Sequence, residues 1–61
     1  MITEKVQDLL SLEARAAEIY EEALGHPESE RYRAQLTELM RDEQRHITMV
    51  KRILEIISTP I

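Results

Sequence analysis

The chain has no cysteine, no tryptophan and no phenylalanine, only one glycine, and only two aromatic residues, both tyrosines. Without cysteine there can be no disulfide, no thiolate metal site and no thiol chemistry. Without an aromatic cluster there is no stacking platform for nucleic-acid bases. A net charge of -4 and a pI near 5.0 remove the basic face that a nucleic-acid binder needs. No apolar run approaches the roughly 20 residues of a membrane span, and Met1-Ile2-Thr3-Glu4-Lys5 lacks a signal-peptide core. The expectation is a cytoplasmic protein with neither a nucleic-acid nor a membrane partner.

What the chain does contain is a folding composition, 43% hydrophobic and 33% charged, in 61 residues. Chains below roughly 70–80 residues rarely build a sufficient core without disulfides, a metal or a partner. With disulfides excluded, a metal, oligomerisation or both are expected.

Gly25-His26-Pro27 is the strong punctuation before Pro60. Glycine favours the position past a helix end and proline the first turn of the next. The pattern predicts an all-α fold of one domain, residues 1–61. Helix 1 is expected at about 3–24 with Thr3 as N-cap, a turn at 25–27, and helix 2 at about 27–58. Helix 1 carries Ile2, Val6, Leu9/Leu10, Ala16/Ala17, Tyr20 and Ala23/Leu24 in a stripe. Helix 2 carries Leu36, Leu39/Met40, Ile47, Val50, Ile53/Leu54 and Ile57. A short connection makes the helices antiparallel. Residues 1–30 hold eight acids and two bases, net -6, and residues 31–61 hold four acids and six bases, net +2. That asymmetry favours the pairing, although each exposed ion pair adds little. Two helices enclose no interior, so a second copy related by a two-fold axis is expected to close a four-helix bundle.

Carboxylates interrupt both stripes. Glu43 occupies the beat between Leu39/Met40 and Ile47, with His46 one turn on, and Glu13 lies between Leu9/Leu10 and Ala16/Ala17. A buried unpaired carboxylate is costly. Two copies would bring four carboxylates and two imidazoles into one core, and two divalent cations would balance the charge. A Glu from each of two helices and Glu-x-x-His from each of the other two is a ligand set for di-iron and di-manganese bundles. Hard oxygen donors with imidazole suit Fe and Mn, and also Zn. Glu-x-x-His alone is a common spacing. Its place on the seam, facing a second seam carboxylate, singles it out. The other reading makes Glu13 and Glu43 register-setting polar residues of a metal-free helical interaction module.

Asp42-Glu43-Gln44-Arg45-His46 resembles the metal-binding helix motif of rubrerythrins and bacterioferritins. Glu13, followed seven residues later by Tyr20, is similar to the first metal-binding helix of the ferritin-like superfamily. The likeness is nearest to the two-helix encapsulated ferritins, whose di-iron site forms across a dimer interface and oxidises Fe(II). The resemblance implies Glu13 as a terminal ligand, Glu43 as a bridge and His46 as a cap, with two Fe per dimer. It implies ferroxidase or peroxide-reducing chemistry in a homodimer or a higher oligomer, with Tyr20 as the catalytic residue that bonds a ligand or supplies an electron. It also implies an encapsulating shell, but Ser58-Thr59-Pro60-Ile61 offers no capsid-targeting extension. Iron or manganese binding without turnover is the remaining alternative. His26, the acidic end (Glu18, Glu21, Glu22, Glu28, Glu30) and the neighbours Asp42 and Arg45 read as a local cap, a solvated face and an ordering pair.

Overall fold

The computed structural model describes residues 1–60, and Ile61 of the expected domain lies outside the described residues. The chain folds into helix α1 (Ile2–Leu24), a 3₁₀ segment (Pro27–Tyr32) and helix α2 (Arg33–Ser58), with no strand among the described residues. The two helices fold back on each other as an antiparallel hairpin measuring 49 × 15 × 11 Å.

Two boundaries and the geometry of one cap differ from expectation, each for a local reason. Thr3 is not the N-cap: α1 begins at Ile2 with Met1 before it and no side-chain cap, and Thr3 lies half-buried inside the helix. Gly25 ends α1 in right-handed geometry, φ -76° and ψ -12°, so the glycine is not there for a left-handed turn. Its N–H instead reaches the carbonyls of Glu21 and Glu22, both at 3.1 Å. Residues 27–32 wind as 3₁₀ rather than α. The Ser29 N–H and hydroxyl both donate to the His26 carbonyl, at 3.1 and 2.7 Å, which holds the chain in an i→i+3 turn. Tyr32 then departs from helical geometry, φ -132° and ψ 25°, and α2 starts one residue later. At the far end Thr59 is extended, as the residue before a proline should be.

Arg33, the first residue of α2, donates to the Leu24 carbonyl at 3.1 Å and to the Glu30 carboxylate at 3.2 Å. The last turn of α1 has no base of its own. Arg33 thus places a cation at its negative end.

Side-chain burial divides the apolar residues into two stripes that the sequence shows as one. Val6, Leu10, Glu13, Ala17, Tyr20 and Leu24 of α1 are half-buried in the seam between the helices. Leu36, Met40, Glu43, Ile47, Val50, Leu54 and Ile57 of α2 face them, and Val50 is fully buried. The spacing alternates three and four, a heptad seam. The exposed Ile2, Leu9, Leu12 and Ile19 of α1, and Leu39, Met49, Ile53 and Ile56 of α2, occupy the two heptad positions along one side of that seam. An antiparallel helix pair has local two-fold symmetry, so these two flanks lie on the same side of the hairpin. The opposite flank, with Gln7, Glu21, Gln44 and Lys51, bears no large apolar side chain. The hairpin therefore has one polar and one apolar face.

Among the described residues, the charge asymmetry produces no lysine– or arginine–carboxylate pair between α1 and α2. Arg15–Glu18, Arg33–Glu30, Arg45–Asp42 and Arg52–Glu55 are all three residues apart along the chain and exposed. The imidazole of His46 and the carboxylate of Glu13 make the contact of this kind that joins α1 to α2, an ion pair only with the imidazole protonated.

Candidate metal centre

Glu13 and Glu43 meet because the seam places both on the facing sides of their helices. His46 follows Glu43 by three residues, on the apolar flank beside the seam. One ligand atom from each of the three lies within 4.8 Å of the others. His46 Nδ1 is 3.5 Å from Glu13 Oε2, with the imidazole 50% exposed and the Glu13 side chain 21% exposed. Contact at that distance is electrostatic rather than a hydrogen bond. Glu13 Oε2 and Glu43 Oε1 are both buried and both lack a hydrogen-bond partner.

The two carboxylates act on each other. The Glu43 carboxyl is held above its ordinary value of 4.5, first because its protonated form can donate to Glu13, then because of burial and the Glu13 charge; His46 opposes the shift. Such a pair favours sharing a proton or taking up a cation.

The donor set suits a hard or borderline divalent cation. Two carboxylates and one imidazole match the ligand preferences of Fe, Mn and Zn, and the orphaned oxygens are what a cation would satisfy. Bonds near 2.1 Å put neighbouring ligands about 3–3.4 Å apart, so separations reaching 4.8 Å require the side chains to draw in around one ion. Three protein ligands from one hairpin leave coordination positions open. The half-exposed imidazole lies on the flank that carries the exposed apolar residues.

Of the residues selected from sequence, Glu13, Glu43 and His46 come together. Tyr20 does not join them: it is half-buried in the same seam, seven residues or roughly 10 Å along the axis toward the bend. His26 lies in the connector, 3.4 Å from Glu28 and exposed. The acidic end is solvated, and Arg15 pairs with Glu18 at 2.9 Å and with Glu22 at 3.6 Å. Asp42 and Arg45 pair at 3.5 Å on the surface. Sequence reasoning missed Arg33 and Ser29, which set the bend and so the level at which Glu43 meets Glu13. A last helical turn without a base, followed by an arginine just past the bend, was the available signal for Arg33.

Comparison of the chain with protein-family models, with curated proteins and with solved structures finds no match. The ferritin-like likeness therefore rests on Glu13, Tyr20, Glu43 and His46 alone.

Proposed function

We propose that this chain is a metal-carboxylate protein whose ligands Glu13, Glu43 and His46 meet those of a second copy around two divalent cations. The completed assembly would be a four-helix bundle with two Fe per dimer, and its activity the oxidation of Fe(II). The observation that carries this reading is the pair of buried, unpartnered carboxylate oxygens on facing helices, with an imidazole beside them. Four ionised carboxylates balance two divalent cations, and neutral imidazoles complete the set. Anionic oxygen donors favour Fe(III) over Fe(II), which drives oxidation. Two Fe(II) ions each give one electron to dioxygen, which takes two protons and leaves as hydrogen peroxide. With peroxide as oxidant the product is water. In this reading the chain's residues bind and space the ions, and Tyr20, roughly 10 Å along the seam, serves as an electron donor.

Anaerobic Fe(II) titration with metal analysis and solution mass tests the proposal. About one iron per chain in a species of twice the chain mass is expected, with a rise in near-ultraviolet absorbance on admitting air. Binding without that rise would leave a metal-storage or structural site and remove the oxidase activity. Absence of binding by Fe(II), Mn(II) and Zn(II) would refute the metal centre. It would favour a metal-free interaction module, which the exposed apolar face also suits.

A further inference from the structure

The three ligand atoms that meet in the seam all belong to one chain. Glu13 comes from α1, and Glu43 and His46, one turn apart, come from α2. His46 Nδ1 and Glu13 Oε2 stand 3.5 Å apart, against a ligand-to-ligand edge of about 3.4 Å in a tetrahedral site with bonds of about 2.1 Å. No separation within the group exceeds 4.8 Å. An ion equidistant from three atoms that far apart would be roughly 2.8 Å from each, so each ligand has to close by about 0.7 Å. Rotation about glutamate side-chain torsions covers that distance with both helices in place. The charge also closes within the hairpin: two ionised carboxylates offset one divalent cation, and the imidazole stays neutral. Away from the bend, no side-chain hydrogen bond joins α1 to α2 among the described residues. A cation at this level would therefore supply a polar tie that the seam otherwise lacks.

We propose that a single hairpin binds one Zn(II) on its own through Glu13, Glu43 and His46, and that the ion acts as a clip between α1 and α2. This rests on the ligand set of the proposed function but not on its second copy. Zn(II) suits the lone hairpin for two reasons. It accepts three protein ligands and a water in four-fold coordination, and the half-exposed imidazole side admits that water. It also binds nitrogen and oxygen sites more tightly than Mn(II) or Fe(II) do. Mn(II) favours six ligands, more than one hairpin offers. The lone hairpin is thus a zinc site, whichever metal the paired form holds. Because the ion joins residues of one chain, the stabilisation it gives depends on free Zn(II) and not on protein concentration. An ion shared between copies would instead bind more tightly as protein concentration rises.

Native mass spectrometry of the full-length chain counts ions in each oligomer separately. Chelator-treated protein is given Zn(II) and diluted over about a hundredfold range, with calorimetric titration and thermal melting at either end. Monomers carrying one Zn(II), a Kd unchanged on dilution and the same zinc-dependent rise in Tm at both ends are expected. Glu13→Gln separates a clip from a chelate on α2 alone, since Glu43 and His46 share that helix. It should weaken Zn(II) binding by more than the roughly tenfold typical of losing a ligand's outer partner, and abolish the rise in Tm. Circular dichroism confirms that the variant is folded, and Glu38→Gln, exposed on α2, should change neither reading. Zinc-free monomers beside zinc-bearing dimers, a Kd that follows protein concentration, or no monomer at the highest dilution would overturn this inference and leave the dimeric site standing. Zinc binding and a rise in Tm that survive Glu13→Gln would overturn the clip. Zinc held by monomers, with no Fe(II) oxidation in air, removes the proposed function alone. No binding of Zn(II), Fe(II) or Mn(II) by any species removes both.

Discussion

Replacing Glu43 by leucine tests whether the carboxylate is held in the seam against its own stability. Glu43 occupies a heptad position otherwise filled by Leu36, Val50 and Ile57, is half-buried, and leaves Oε1 without a partner. A half-buried leucine there should contribute about 1 kcal/mol of apolar burial. Removing an unsatisfied acceptor should add roughly 1–3 kcal/mol. The metal-free Glu43→Leu variant is therefore expected to be more stable than the native chain by about 2–4 kcal/mol, a rise in Tm on the order of 10–20 °C for a domain this small. Metal reverses the order of advantage. At a thousandfold excess over Kd the native chain should gain about 4 kcal/mol, and the variant nothing. The assay is thermal melting at fixed protein concentration, with chelator and then with Fe(II), Mn(II) or Zn(II). A metal-free Glu43→Leu chain that melts below the native one would refute the reasoning. It would show that the carboxylate supports the fold through a contact of its own.

The shifted Glu43 carboxyl sets a pH dependence in the metal-free protein. Its folded-state value is raised, so its contribution is complete below the unfolded value near 4.5 and is lost as pH rises through the folded value. Urea midpoints taken between about pH 4 and pH 8 should fall more steeply with pH in the native chain than in Glu43→Gln. Arg33→Ala should cost about 0.5–1.5 kcal/mol in urea unfolding, because the Leu24 carbonyl loses its charged donor at the end of α1; Arg33→Lys should recover part of it. Tyr20→Phe should leave metal stoichiometry unchanged and slow the initial oxidation of Fe(II) by roughly two- to tenfold, because phenylalanine cannot supply the electron. Stopped-flow absorbance checks this, and an unchanged rate would remove Tyr20 from the chemistry.

The helices and their pairing were legible because their punctuation is local. Gly25, Pro27 and Pro60 act on the backbone within a residue or two, and the apolar spacing acts within a turn. Glu13, Glu43 and His46 were legible for a related reason: a charged group on an apolar stripe contradicts its surroundings, and that contradiction is visible in one dimension. Residues 27–32 were not legible as 3₁₀, since the Ser29 hydroxyl competes for the same carbonyl that would otherwise serve an α-turn. Arg33 was hidden for a different reason. Its partner at Leu24 is nine residues away and becomes a neighbour only after the bend has formed. The split of the apolar stripe was also hidden, because Leu9/Leu10 and Leu39/Met40 are adjacent in sequence while one of each pair faces the helix opposite and the other faces solvent.

Ser29 is 1% exposed in a molecule whose other described side chains, Val50 apart, are at least partly open to water. The most fully buried of the described side chains is thus at the bend, and Ile2 and Ile56 towards the opposite end are exposed. Glu13, Glu43 and His46 lie halfway along the two arms, between the bend and these exposed side chains. Anything that covers the apolar side of the arms would therefore also hold the spacing of the three candidate ligands.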